Sequence, residues 1–153
     1  MKIILHFLYK GIKVLSEVDS QIKKDIKFLP SYYKIKLETD LNNPLALCLM
    51  IIDGKVQRIK KKNNDNNFDL IIKFKHNDLA FKVLMGKKSI ANAYSEHSFQ
   101  LFGNICEAMV FTRILERVEG YLFPKFINKK ILKEPIEREI SMIKTYILCL
   151  FKG

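Results

Sequence analysis

The chain has no tryptophan, three cysteines, three histidines and few arginines in 153 residues. Cys48, Cys106 and Cys149 are odd in number and far apart, so they build neither a disulfide framework nor a Cys-x-x-Cys metal site. They read as reduced thiols packed as small apolar groups, which points to a cytoplasmic protein. His6, His76 and His97 have no ligand spacing that indicates a metal. Ser95 and Ser98 lack a nucleophile elbow, and there is no glycine loop of the kind that cradles phosphate. Glu96-His97 is the nearest approach to an acid and base pair, but adjacent residues on a helix face different ways. No catalytic residue, metal site or cofactor site is therefore assigned, and the chain reads as a non-enzyme.

Long apolar runs are also missing. No window approaches the roughly eighteen residues of a membrane span. The apolar start Ile3-Ile4-Leu5-His6-Phe7-Leu8-Tyr9 is broken by His6 and stopped by Lys10, so a signal peptide is not expected.

What is present is a hydrophobic fraction of 48%, a charged fraction of 28% and a net charge of +11. The first two values describe a globular protein. A chain of this length buries roughly two-thirds of its unfolded surface in one domain. The positive charge comes almost wholly from lysine, with arginine only at Arg58, Arg113, Arg117 and Arg138. Isoleucine and asparagine are abundant too, so an AT-rich coding bias accounts for a solvated lysine surface. An anion-facing surface is the competing reading.

Periodicity divides the chain into elements. Ile4, Leu8, Ile12, Leu15, Val18, Ile22, Ile26 and Leu29 recur at helical spacing before Pro30, with Gly11 a point at which two shorter helices could divide. From Tyr33 to Glu38 apolar and polar residues alternate, which predicts a half-buried strand. After the turn Asn42-Asn43-Pro44, the run Leu45 to Ile52 meets Asp53-Gly54, the dipeptide of a tight hairpin, and Lys55 to Lys60 returns as its partner. Lys60 to Asn67 is a polar connection, and Phe68 to Phe74 a fourth strand. Asn77 to Met85 is a helix closed at Gly86, and Ser89 caps a short helix containing Ile90, Ala93 and Tyr94. Phe99 to Phe102 is a last strand. Asn104 and Glu107 have the layout of a capping box for a helix that buries Ile105, Ala108, Met109, Thr112, Leu115 and Val118 and ends at Gly120. Beyond the connector Tyr121 to Pro124, a final helix from Pro135 carries Ile136, Ile140, Ile143, Ile147 and Leu150 in a stripe.

This order resembles the sterol carrier protein two family of small lipid-binding domains. The resemblance rests on a strand opening with Asp69, a helix from Leu79 to Gly86, a small-residue helix at Ala91 to Tyr94, and the Phe99 to Asn104 strand and exit. It covers residues 10–118 of a single 1–153 domain, with 121–153 a C-terminal extension. The family commonly places a glycine at the start of its final strand, where this chain has His97. The resemblance implies an α+β fold: a mixed, mostly antiparallel five-stranded sheet covered by helices, with an apolar tunnel for a fatty acyl or sterol-like ligand.

Residues that would line such a tunnel look like core. Leu84, Met85, Phe99, Leu101, Ile105, Met109 and Phe111 fit both roles. Arg113 and Arg117 fit either the polar face of their helix or an anion clamp at the tunnel mouth. The expected function is a lipid carrier docking transiently on anionic membranes. A ligand-free interaction or homodimerisation module, built on the terminal helices, is the alternative. Nucleic-acid binding through lysines is weaker still, because interleaved aromatics and arginines are lacking.

Overall fold

The computed structural model describes residues 1–42, 44–59, 67–122 and 137–151. Among them lie six helices and five strands. Helix α1 (Lys2–Val18) runs unbroken through Gly11, and the chain divides instead at Asp19, before α2 (Ser20–Phe28). Gly11 is needed for a different reason. A Cβ there would lie 2.8 Å from Val118 Cγ1, so the missing side chain lets a later helix close onto α1.

Strands β1 (Tyr33–Glu38), β2 (Ala46–Ile52), β3 (Lys55–Arg58) and β4 (Leu70–Phe74) follow. Then come α3 (Asn77–Leu84), α4 (Ile90–Ser95), β5 (Phe99–Phe102), α5 (Ile105–Leu122) and α6 (Met142–Phe151). The sheet order is β3-β2-β1-β4-β5. Only the central β1–β4 pair is parallel; the others are antiparallel. This is the mixed, mostly antiparallel sheet that the resemblance implies.

Local chemistry explains the joints. Asp53 and Gly54 both take positive φ, 47° and 76°, the primed turn that suits the twist of β2 and β3. Asp69 starts the parallel pairing from both its ends: its amide donates to the Lys34 carbonyl at 2.9 Å, and its carboxylate accepts from the Lys34 amide at 2.7 Å. Ser89 accepts from the Asn92 amide, and Asn104 from the Cys106 amide, each capping the helix that follows.

Tyr33, Ile35, Leu37, Leu47, Leu49, Leu70 and Ile72 point to one core beneath the helices. The alternation in β1 predicts a solvated opposite face, and the structure differs. Lys36 and Glu38 are buried there, joined at 2.7 Å, with Lys73 at 3.4 Å from the same carboxylate. Burial opposes the Glu38 charge, but the two lysines outweigh it and hold the carboxyl below its usual range. The Lys36 and Lys73 ammonium groups lie over the Phe68 and Phe102 rings, 5.5 and 5.7 Å from their centroids.

A second buried charge joins the helices. Asp19 is fully buried and accepts from the Ile22 amide at 2.9 Å, from Arg117 Nε at 2.8 Å and from the Tyr121 hydroxyl at 2.6 Å. Desolvation pushes its pKa up, yet those donors together hold it below the ordinary aspartate value. The Tyr121 oxygen in turn accepts from the Glu139 amide, and the Glu139 carboxylate accepts from Ser20. Helix α5 extends past Gly120, the predicted end, to Leu122. Gly120 and Tyr121 remain helical because this network and the carbonyl contact from Arg138 hold that turn.

The predicted start of the last helix at Pro135 and Ile136, most of the Lys60 to Asn67 connection and the end of the Tyr121 to Pro124 connector lie outside the described residues. The stripe Ile143, Ile147 and Leu150 is exposed; α6 turns Thr145 and Cys149 inward. No helix among the described residues is long and apolar enough to cross a membrane.

Three substitutions check this account by chemical denaturation. Asp19→Asn should cost about 3 kcal/mol at neutral pH, because it leaves Arg117 without its buried partner. The depressed Asp19 pKa means that its contribution is present above the unfolded value of about 4 and lost as pH falls through the lower folded value. The gap between wild type and variant should therefore close on acidification. Gly103 has φ of 122°, and a Cβ there would lie 2.3 Å from the Asp69 carbonyl oxygen, so Gly103→Ala should cost about 2–3 kcal/mol. His97 makes the turn expected of a glycine, at φ of 52°. His97→Gly should accordingly stabilise the fold by up to about 1 kcal/mol.

Candidate lipid-binding cleft

Between α4, β5 and α5 lies a cleft of about 390 Å³. One wall is a stripe of α5: Ile105, Ala108, Met109, Thr112, Arg113 and Glu116, in steps of three and one. At 1.5 Å per residue this wall is about 16 Å long. Ile90, Ala91 and Tyr94 of α4 and Phe99 and Leu101 of β5 form the rest. Ile105 and Met109 are 55% and 59% exposed, and Tyr94 is exposed beside them. The α5 stripe predicted to be core thus divides: Ala108, Leu115 and Val118 are buried, while Ile105 and Met109 face the cleft.

The predicted lining residues take three positions. Phe99, Leu101, Ile105 and Met109 meet in the cleft. Leu84 lines a separate apolar void of about 10 Å³ beneath α3, which shares Ile90, Phe99 and Thr112 with the cleft. That void is at the lower limit for one water, so the space between sheet and helices is filled behind a partition of Ile90 and Phe99. Phe111 is buried in the core and Met85 ends α3. Neither lines the cleft. Ile90, Ala91, Tyr94, Ala108, Thr112 and Glu116 were not anticipated; the α5 members could have been found from the i, i+3, i+4 spacing that continues from Ile105 and Met109.

The two arginines separate. Arg113 reaches the cleft and donates to buried Asp25 at 3.2 Å. Arg117 is turned away, committed to Asp19 and to the Glu137 carbonyl. Glu116 closes the same end of the cleft, and burial raises its pKa. Glu119 follows three residues later on the same side of α5 and is 6% exposed. One of its carboxyl oxygens has no hydrogen-bond partner. Burial pushes Glu119 well above the usual carboxylate range, and Glu116 adds repulsion. The Thr112 hydroxyl donates to the Met109 carbonyl. Chemically the cleft is an apolar trough with one polar end, and no cluster of metal ligands occurs among the described residues.

No protein-family model matches the sequence, and no curated protein does. Solved structures do. The UbiJ-SCP2 ubiquinone synthesis protein superposes with a TM-score of 0.52 at 12% identity, over 72% of this chain and 94% of that one. Apo sterol carrier protein 2 from Yarrowia lipolytica gives 0.50 at 17% identity, over 76% and 90%. A conserved hypothetical protein from Thermus thermophilus, described as possibly a sterol carrier protein, gives 0.52 at 13% identity, over 85% and 89%. Identities this low carry the fold alone. On that ground, the chain has the fold of the sterol carrier protein two domains.

Proposed function

We propose that this chain is a non-enzymatic lipid-binding module, which holds a fatty acyl or sterol-like molecule in the cleft between α4, β5 and α5. One observation carries the reading: a packed protein leaves apolar Ile105, Met109 and Tyr94 exposed around a trough of about 390 Å³. That volume lies within the range of small-molecule sites, roughly 300–1,000 Å³. Each methylene buried there gains about 0.8 kcal/mol. A longer ligand would enter the tunnel by displacing Ile90 and Phe99, the partition between the trough and the void behind it. Three cysteines scattered through the sequence suit a cytoplasmic setting, with residues 1–153 acting as one unit.

The carrier reading also gives the terminal helices a role. Ile3 and Phe7 of α1 and Ile143, Ile147, Leu150 and Phe151 of α6 are exposed, on helices that pack together. Exposed Lys2 and Lys144 belong to the same two helices. Apolar side chains flanked by lysines suit transient docking on an anionic bilayer. A second copy is the competing occupant, and the net charge of +11 on each copy opposes it.

Native mass spectrometry of gently purified protein tests the central claim, with a bound lipid expected on the monomer. Met109→Glu should keep the fold, because the side chain is 59% exposed, and should weaken binding of a fluorescent acyl probe by about tenfold or more. Unchanged probe affinity in this variant, together with no retained lipid, would remove the cleft as the site.

A further inference from the structure

Among the described residues, the polar end of the cleft has carboxyl groups in surplus and no uncommitted cation. Among the described residues Arg113 is the only cationic one on its walls, and its guanidinium is bonded to Asp25 at 3.2 Å. Asp25 is itself buried, so that pair is neutral as a unit. Arg117, one turn further along α5, is taken up by Asp19. Glu116 makes no ion pair among the described residues. Glu119, three residues on and buried, leaves one oxygen without a hydrogen-bond partner.

An acidic head group entering this end would be desolvated beside Glu116 with no uncommitted cation among the described residues to balance it. Burying an unpaired charge is costly, and an ionised Glu116 would add like-charge repulsion. A hydroxyl or carbonyl oxygen meets no such penalty. It can also exchange a hydrogen bond with the Glu116 carboxyl, which accepts from a hydroxyl when ionised and donates to either oxygen when protonated, the form that burial favours. The geometry orients the ligand as well. The apolar stretch of the α5 wall runs from Ile105 to Met109, and the polar groups lie together at Arg113 and Glu116.

We infer that the cleft selects apolar ligands with an uncharged oxygen head, a hydroxyl or a carbonyl, over carboxylic acids of the same chain, with Glu116 as the residue that sets the preference. This rests on the lipid-cleft reading above and narrows it to one class of head group.

The test is direct titration of the full-length chain with 1-dodecanol, dodecanoate and dodecylamine, which share a tail and differ in charge. The alcohol should bind about tenfold or more tightly than the acid and more tightly than the amine. Glu116→Gln should keep alcohol affinity and narrow the gap to the acid. Glu116→Lys, at a partly exposed position, should reverse the order and favour dodecanoate. If the acid or the amine binds the unaltered chain as well as the alcohol, the inference fails while the lipid-cleft reading stands. If none of the three binds, both fail. An unchanged ranking in Glu116→Lys, with circular dichroism showing a folded protein, would also overturn the assignment to Glu116.

Discussion

The buried carboxylate of Asp19 is the constraint on which the helical layer depends. It sits between α1 and α2, yet two of its three donors, Arg117 and Tyr121, come from α5. An aspartate this buried is tolerated only when its donors are in place, since breaking such a pair costs about 3–5 kcal/mol. Any rotation of α5 that released Arg117 or Tyr121 would incur that cost. The turn of α5 that fixes the helix is therefore its last, while the cleft lies along its first three. Gly11 allows the close approach to α1 that brings these groups together. A group distant from the cleft thus positions its longest wall, and in doing so removes Arg117 from it.

This long-range control explains what was legible in the sequence. Strands were readable because alternation in β1, Asp53-Gly54 and Asp69 are local signals whose physics is complete within a few residues. Helix caps at Ser89 and Asn104 were readable for the same reason. Which side of α5 faces the core was not. Ile105 and Met109 satisfy the apolar period as well as Ala108 and Leu115 do, and a wall of an apolar cleft has the composition of a core. The distinction is set by the Asp19–Arg117 contact across 98 residues of sequence, which periodicity does not register. The separation of Arg113 from Arg117 was hidden likewise, since four residues apart on a helix predicts a shared face and only the partners decide their roles.

The lysine surplus also reads differently against the structure. Lys36 is buried and Lys73 partly so; they neutralise Glu38 on the second face of the sheet, with their ammonium groups over Phe68 and Phe102. Part of the basic composition therefore maintains a covered sheet face. Among the described residues, the cleft has one cationic member, Arg113, and it is already paired with Asp25. Net charge and ligand charge are separate matters in this protein. A chain of +11 can disfavour an anionic ligand in its cleft while its lysines meet an anionic membrane.

Two carboxyl groups with raised pKa values three residues apart are the pattern expected of acid–base catalysis. Here the surroundings favour another use. A general acid needs a second group converging on the same reacting atom. Among the described residues, the other polar side chains in the cleft are Tyr94, Thr112, bonded to the Met109 carbonyl, and Arg113, bonded to Asp25. Glu119 does not line the cleft, and Glu116 adds to the burial that raises the Glu119 pKa. One accessible acid at the end of an apolar trough is equipped to hold and orient an oxygen-bearing head. In the proposed reading, the burial that raises the Glu116 pKa favours the protonated form, which can donate a hydrogen bond to such a head.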